Sequence, residues 1–126
     1  MGVGNVENSS PEAASGSYLI GGVAYDPLEM IRDVAPLLEE YQVDLVISGH
    51  DHHMEFLQHN GVSYCVIGTL GGVLDPSFVY ISPTSIWSNN TSHGFLDASV
   101  RFETIELGFR DTTGNLLKSF TVSKNE

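Results

Sequence analysis

The amino-acid sequence predicts an α/β fold that is β-rich at its end. Three observations support this prediction: one segment with helical spacing, a compact apolar run after it, and strand-like segments over most of the remaining chain. At 126 residues, the chain is long enough for one small domain with a modest core. We expect a loose lead-in over residues 1–16, rich in Gly, Ser, Asn and Glu, and one folded unit over residues 17–126.

The helix is predicted from its starting signals and its apolar spacing. A short apolar run, Tyr18–Ala24, precedes it and is typical of a strand that ends in a loop. Asp26 is a suitable N-cap, and Pro27 suits the first helical position. Apolar residues at helical spacing across Leu28–Leu38 would face a core. Pro36 falls inside this pattern, so we expect it to kink or divide the helix.

The segments after the helix are predicted to be mainly β. Val43–Ser48 is a compact apolar run, typical of a largely buried strand. Gly49–His53 is predicted to be a polar turn. Two further strands, Met54–Gln58 and Val62–Ile67, flank Asn60-Gly61, which is the strongest short signal for a tight hairpin.

The last part of the chain alternates loops and strands. Gly68–Gly72 is a glycine-rich loop, and Asp75–Thr91 indicates a long irregular excursion because it is rich in Pro, Ser and Asn. Strand character resumes over Gly94–Phe109 and Leu116–Val122, with a turn predicted at Thr112–Asn115.

Composition excludes several classes of partner. The formal charge of −11, from five Lys and Arg against sixteen Asp and Glu, repels phosphate backbones and anionic membranes, so we expect neither nucleic acid nor membrane as a partner. The one cysteine, Cys65, excludes an intramolecular disulfide and is expected to be a buried, inert thiol. Residues 1–15 lack the basic and apolar regions of a signal peptide, which leaves the compartment unknown.

A pair of histidines follows the apolar run directly. Gly49 leads into His50 and His52, whose imidazole nitrogens suit iron, zinc or manganese. On a regular strand such a pair points to opposite faces, but in a turn after a strand, with Gly49 free to take unusual angles, both rings can converge. Spacing alone leaves two interpretations open, a metal site and a polar turn exposed to solvent.

The sequence around this pair resembles a known family. Gly49-His50-Asp51-His52 after Leu45-Val46-Ile47 resembles the last metal-binding motif of the calcineurin-like metallophosphoesterases. Residues 31–75 are similar to the corresponding stretch of small purple acid phosphatases of the tartrate-resistant type, including the helix with Pro-Leu-Leu and the strand that enters a glycine-rich loop. The resemblance implies a C-terminal fragment of that family's two-sheet sandwich, flanked by helices.

The resemblance also implies roles for individual residues. His50 would bind the more labile divalent ion and His52 the ferric ion of a binuclear centre of iron with iron, zinc or manganese. In that family a metal-bound hydroxide attacks a phosphate monoester, which would be the substrate. Asp51 matches the motif without being a ligand, so we expect it to support the ligands from behind.

The remaining histidines are expected to play lesser parts. We expect His53 to be solvated or to pack against its surroundings, and His59 to be exposed beside the hairpin turn. His93 precedes Gly94 after the long excursion and is a candidate for the substrate pocket, because substrate loops lie nearby in this fold.

The departures from the family point to an incomplete site. The family's early carboxylate ligands and its Gly-Asn-His motif are absent, and Ser17 stands near the position of another histidine ligand. A proton-donating histidine would fall near Tyr25 or Asp26. We therefore expect an acid phosphatase fragment that is inactive alone and whose partner is the missing N-terminal half of the domain. The alternative is a non-catalytic remnant or regulatory module with a weak histidine-based metal site.

Overall fold

The computed structural model describes residues 30–75 and 83–124, in which two short helical segments are followed by seven strands. A π-helical turn, Met30–Val34, continues directly into helix α1, Ala35–Glu40. Pro36 lies in the first turn of α1, where its missing N–H removes no intrahelical hydrogen bond. The helical segment changes from π to α geometry one residue before Pro36, so the prediction that Pro36 kinks or divides the helix is confirmed only as this change of geometry.

Several predictions concern residues outside the described ranges. They are the loose lead-in, the apolar run Tyr18–Ala24, the N-cap Asp26 with Pro27, and the comparison of Ser17 with a histidine ligand. These remain predictions.

The first sheet contains four strands in the order β1-β3-β2-β4. Strands β2 and β3 form the predicted hairpin, with Asn60 at φ 49° and Gly61 at φ 83° in the turn. Positive φ at both turn residues matches the twist of the flanking strands. The strands are β1, Leu45–Ser48; β2, Met54–His59; β3, Val62–Ile67; and β4, Ser85–Asn89.

Two expectations about this sheet are wrong in part. Ser85–Asn89, within the expected irregular excursion, pairs antiparallel with β2 because Trp87 packs on the core and its burial outweighs the polar composition around it. Leu45–Ser48, expected to be largely buried, is only half-buried, and the side chain of Ile47 is 53% exposed. Among the described residues β1 pairs only with β3, so it lies at an edge of the sheet.

The second sheet is an antiparallel meander in the order β5-β6-β7. It confirms the strand character predicted for the end of the chain and the turn before β7, which Asp111 caps by accepting hydrogen bonds from the amides of Thr113 and Asn115. A tight connection at residues 101–103 divides the predicted strand segment Gly94–Phe109 between two strands, β5 and β6. The strands are β5, Gly94–Val100; β6, Thr104–Asp111; and β7, Leu116–Ser123.

The core lies between the two sheets. Buried apolar residues from both sheets meet there, and the rings of Phe56 and Phe120 stack across the interface with centroids 4.0 Å apart. Such aromatic pairs contribute about 0.5–1.5 kcal/mol beyond the area that they bury. Cys65 is buried as predicted, and burial raises the pKa of its thiol to about 12. The two-sheet sandwich with helical segments beside it is the predicted fold class. No helix in the described ranges is long and apolar enough to cross a membrane.

The topology brings two loops together. Because β1 and β3 are parallel neighbours, their carboxyl ends lie on the same side of the sheet, where the strands end. The turn Gly49–His53 follows the carboxyl end of β1, and the loop Gly68–Asp75 follows that of β3. In α/β sheets the carboxyl ends of the strands commonly carry ligand sites.

Candidate metal-ligand site

The turn that carries the two candidate ligands is strained at His50. This residue adopts φ 74°, a left-handed conformation that costs a non-glycine residue about 1–3 kcal/mol and that occurs preferentially at functional sites. Gly49 was expected to supply the unusual angle, and that expectation is wrong, because Gly49 is not among the described residues with positive φ. The His50 side chain is 42% exposed.

The loop after β3 lies directly against this turn. A side chain at Gly68 would place its Cβ 1.8 Å from the backbone oxygen of Asp51, so only glycine permits the approach. The Gly68 amide donates a hydrogen bond of 3.2 Å to the carbonyl oxygen of His53, and the Asp75 amide donates one of 3.0 Å to that of His52. The turn and the loop therefore form one unit held by backbone hydrogen bonds.

His52 is oriented by this loop. Its Nδ1 lies 2.6 Å from the backbone oxygen of Val73, and because a carbonyl only accepts, Nδ1–H is the donor. The ring also packs on Gly72, where an added Cβ would lie 2.6 Å from Cε1. In the neutral ring, Nε2 then carries the lone pair, as in metal-binding histidines whose other nitrogen donates to a carbonyl.

Asp51 is buried beside the two histidines, with 1% of its surface exposed. Its Oδ1 lies 3.4 Å from His50 Nδ1, a long contact that is compatible with support of the ligand from behind. The supporting role of Asp51, like the ligand roles of His50 and His52, stays a prediction.

His53 was expected to be solvated or to pack against its surroundings, and its burial confirms the packing alternative. Its Nδ1 lies 3.0 Å from Asp75 Oδ2 and its Nε2 lies 2.9 Å from Glu55 Oε1. Burial of the ring lowers the pKa of His53, but hydrogen bonds with Glu55 and Asp75 and the charges of Glu55 and Asp51 raise it by more, and the pKa lies above its ordinary value. Each ring nitrogen faces a carboxylate oxygen at hydrogen-bond distance.

His93 approaches the same loop from the other side. Its Nε2 lies 2.7 Å from the carbonyl oxygen of Gly72. Gly72 directly precedes Val73, whose carbonyl accepts the hydrogen bond from His52. The structure thus brings His93 to the loop that carries the candidate site, although its place in a substrate pocket stays a prediction. His59 lies apart, beside the hairpin and 4.0 Å from Glu39, with 37% of its side chain exposed.

Sequence reasoning missed the carboxylates around His53. Glu55 carried a usable signal, because a charged residue in the otherwise apolar strand Met54–Leu57 requires a buried partner. Asp75 carried none, since it lies 22 residues from His53 and only the fold brings the two together.

The described residues supply only part of a metal site. Among them, no group of three or more His, Cys, Asp or Glu side chains is placed to hold a metal ion. His50 and His52 fit the histidine share of such a site, but stable catalytic sites usually need at least three protein ligands. The described part of the chain therefore does not complete a binuclear centre, and no reaction step can be derived through one.

Comparison of sequences identifies related proteins. The chain is 30% identical over 100 residues to tartrate-resistant acid phosphatase type 5 of Rattus norvegicus. The matched region covers 77% of this chain and 30% of that protein. The Mus musculus protein is 38% identical over 66 residues, which span 50% of this chain and 20% of the relative. Purple acid phosphatase 17 of Arabidopsis thaliana is 27% identical over 105 residues, 79% of this chain and 30% of the relative. No family model matches the chain.

Solved structures show the same fold. A structure described as GAP50, the anchor in the inner membrane complex of Plasmodium, superposes with a TM-score of 0.70 at 22% identity, over 77% of this chain and 30% of that one. Purple acid phosphatase PPD1 from yellow lupin seeds superposes with a TM-score of 0.63 at 21% identity, over 81% of this chain and 20% of that one.

The chain spans less than a third of the length of the relatives that it matches. Sequence and fold agree with the resemblance to the small purple acid phosphatases. The chain is homologous to the C-terminal portion of the purple acid phosphatases, a family of metallophosphoesterases that includes the tartrate-resistant enzymes.

Proposed function

We propose that the chain is the C-terminal portion of a metal-dependent phosphate monoester hydrolase of the acid phosphatase type. In this proposal His50 and His52 are ligands of a binuclear centre of iron with iron, zinc or manganese. The observation that carries it is the placement of His52, whose Nδ1–H donates to the Val73 carbonyl at the sheet edge where the carboxyl ends of β1 and β3 meet.

The proposed reaction divides the work between the metals and the protein. Paired metal ions supply an activated hydroxide and neutralise the charge of the transferring phosphoryl group. This chain's own contribution is to hold two imidazoles in place, with the ring of His52 fixed by the loop. The remaining ligands are proposed to come from the N-terminal portion of the domain, so the 126-residue chain alone is expected to be inactive.

Exposed apolar side chains beside the site support the proposal that another portion of the domain covers it. Leu70 and Val73, in the loop that contacts His52, are 77% and 86% exposed. Adjoining exposed apolar side chains are typical of surfaces that another part of a protein covers, although other described apolar side chains, such as Val100 and Phe102, are similarly exposed away from the site. We propose that the N-terminal portion of the domain packs here.

His93 is proposed to contact the substrate. Its Nε2–H donates to the carbonyl of Gly72, which directs the ring along the loop beside His52. The other ring nitrogen, Nδ1, is then left to interact with a phosphate oxygen when it carries a proton.

Complementation with an upstream portion tests the proposed function. A chimera joins the N-terminal portion of the rat tartrate-resistant enzyme to this chain and is assayed with p-nitrophenyl phosphate at mildly acidic pH. We expect turnover from the chimera and none from the chain alone above a metal-only control. In the chimera, His50→Ala and His52→Ala should abolish turnover, whereas His59→Ala, a matched imidazole away from the site, should retain it. If the junction keeps Ser17, Ser17→His should raise turnover further.

Two results would contradict the proposal. Robust turnover by the chain alone that is lost in His50→Ala would show that it builds a complete site by itself. A folded chimera that binds metal without turnover would show that this portion no longer supports catalysis.

A second candidate is a non-catalytic module that keeps the scaffold and a weak histidine-based metal site. One observation favours it: the described residues include no group of three or more potential ligands in position to hold a metal. The Plasmodium protein of similar fold is described as an anchor, although that likeness concerns the fold alone. Titration calorimetry of the chain with Zn²⁺ should show only weak binding under both candidates, and tight binding lost in His50→Ala and His52→Ala would contradict both.

A further inference from the structure

Two overlapping acceptor motifs for N-glycosylation lie at the end of β4. The motif is Asn-x-Ser/Thr, where x is not proline, and the chain contains it at Asn89-Asn90-Thr91 and at Asn90-Thr91-Ser92. Short motifs of this kind are common by chance, so the sequence alone does not show that either is used. A glycan is bulky and polar, and the asparagine that carries it must present its side-chain nitrogen to solvent.

The side chain of Asn89 is oriented by the turn that follows β4. Its Oδ1 accepts hydrogen bonds from the backbone amides of Thr91 at 3.0 Å and Ser92 at 3.1 Å, and the Thr91 hydroxyl lies 3.4 Å from the same oxygen. Because a backbone N–H only donates, the oxygen of the carboxamide must face the turn, and the NH₂ group cannot. The Nδ2 nitrogen of Asn89 therefore points away from the turn.

The Nδ2 nitrogen of Asn89 is accessible to solvent. It has no hydrogen-bond partner among the described residues, and it is not one of the buried unpaired side-chain atoms found among them. Thr91, whose hydroxyl completes the first motif, is exposed. The nitrogen that would accept a sugar and the hydroxyl that the motif requires thus both lie at the surface.

Asn90, the acceptor of the second motif, is placed differently. Its Nδ2 donates a hydrogen bond of 3.0 Å to the backbone carbonyl of Asp75, a residue that is only 7% exposed. A sugar on this nitrogen would have to fit against the loop Gly68–Asp75, to which Asn90 is bonded. The fold therefore favours Asn89 over its neighbour.

Asn89 also ends an edge strand. Among the described residues β4 pairs only with β2, and Ile86 on β4 is 51% exposed. Edge strands with exposed apolar side chains tend to pair with other chains unless something covers them. Ile86 and Asn89 are about 10 Å apart at roughly 3.3 Å per residue, so a glycan on Asn89 would lie beside this edge.

We propose that Asn89 is an N-glycosylation site, that Asn90 is not, and that the glycan shields the edge of β4. The donor is a lipid-linked oligosaccharide diphosphate. Nδ2 of Asn89 forms a bond to C1 of the first sugar while the bond between C1 and the diphosphate oxygen breaks. The diphosphate leaves with its lipid, and the amide loses one proton. This inference is independent of the proposed phosphatase function.

The native protein isolated from its source is the first test. An amidase that converts a glycosylated asparagine to aspartate releases the glycan in ¹⁸O-labelled water, and mass spectrometry of the peptides locates the label. We expect the label at Asn89 and none at Asn90. An unmodified peptide that contains both residues overturns the proposal.

The choice of acceptor is tested by transfer to the purified full chain. The folded chain carries Asn8→Gln, which removes the remaining motif, Asn8-Ser9-Ser10. It is incubated with a purified oligosaccharyltransferase and a lipid-linked oligosaccharide, and its intact mass is measured. We expect one glycan per chain. Asn89→Gln should abolish the transfer, whereas Ser92→Ala, which removes only the second motif, should retain it.

Thr91→Ser is the matched comparison within one molecule. It places serine in the third position of both motifs and keeps a hydroxyl beside Asn89, so peptide mapping compares the two acceptors on equal terms. It also remains informative if Asn89→Gln does not fold. We expect the glycan on Asn89. A glycan mainly on Asn90, or none on the folded chain, overturns the assignment.

Shielding of the edge is measured by light scattering on warming. The glycosylated chain should aggregate more slowly than the unmodified chain. Ile86→Lys, which places a charge on β4, should slow aggregation of the unmodified chain and add little once the glycan is present. Ile47→Lys is the matched control on β1, at the opposite edge of the described sheet, and should slow both forms. Equal aggregation of the glycosylated and unmodified chains overturns the shielding role.

Discussion

Replacement of His53 by alanine measures how strongly two buried carboxylates depend on one imidazole. The ring lies 3.0 Å from Asp75 Oδ2 and 2.9 Å from Glu55 Oε1, and all three side chains are buried. Removal of one partner from a buried ion pair costs about 3–5 kcal/mol, because the other charge stays desolvated. The total stability of a domain is about 5–15 kcal/mol, so His53→Ala should remove a large share of it. At roughly 4 °C per kcal/mol, the Tm should fall by about 12–20 °C.

Urea unfolding followed by circular dichroism is the assay. His59→Ala is the matched control, since it removes a partly exposed imidazole 4.0 Å from Glu39 and should change stability by less than about 0.5 kcal/mol. In a Glu55→Gln background, where one buried charge is already absent, His53→Ala should cost less by about 0.5–3 kcal/mol. The reasoning is refuted if His53→Ala costs no more than His59→Ala, or if the effects of the two changes simply add.

Three further predictions concern single residues. His50→Gly should stabilise the metal-free chain by about 1 kcal/mol relative to His50→Ala in urea unfolding, because glycine accepts φ 74° without strain, and an equal stability would argue against strain there. Tyr64→Phe should be neutral or stabilising by about 1 kcal/mol, because the buried Tyr64 hydroxyl has no hydrogen-bond partner among the described residues; a clear loss of stability would reveal a partner. Hydrogen bonds from Thr113 hold the pKa of Asp111 below its ordinary value, so its stabilising effect is present above the unfolded pKa of about 3.9 and is lost as pH falls through the folded pKa. Carboxylate NMR titration measures that pKa, and an Asp111 that titrates at or above the ordinary value contradicts the capped turn.

Local patterns in the sequence were sufficient for much of the fold. Asn60-Gly61 between two apolar runs predicted the β2–β3 hairpin, because a two-residue turn of this kind requires positive φ at both positions. Pro36 indicated an irregularity in the helical segment, which changes from π to α geometry one residue before it, since proline removes a backbone donor. The turn Gly49-His50-Asp51-His52 resembled the calcineurin-like metallophosphoesterases, and the longer stretch of residues 31–75 resembled the small purple acid phosphatases, with which sequence comparison agrees. The hairpin and helix signals depend on neighbours within a few positions of the chain, whereas the family resemblance depends on the order of motifs along it.

The tertiary structure decided what depends on distant contacts. Trp87 belongs to a strand because it packs between two sheets, although the sequence around it is typical of a loop. His53 is buried because Asp75, 22 residues away, and Glu55 satisfy both of its ring nitrogens. The carbonyl of Val73 decides which nitrogen of His52 donates a hydrogen bond. Val73 lies in the loop that follows β3, the strand parallel to β1. The sequence shows the residue types of a candidate ligand pair, but the direction and protonation of each ring depend on groups that only folding brings within hydrogen-bond distance.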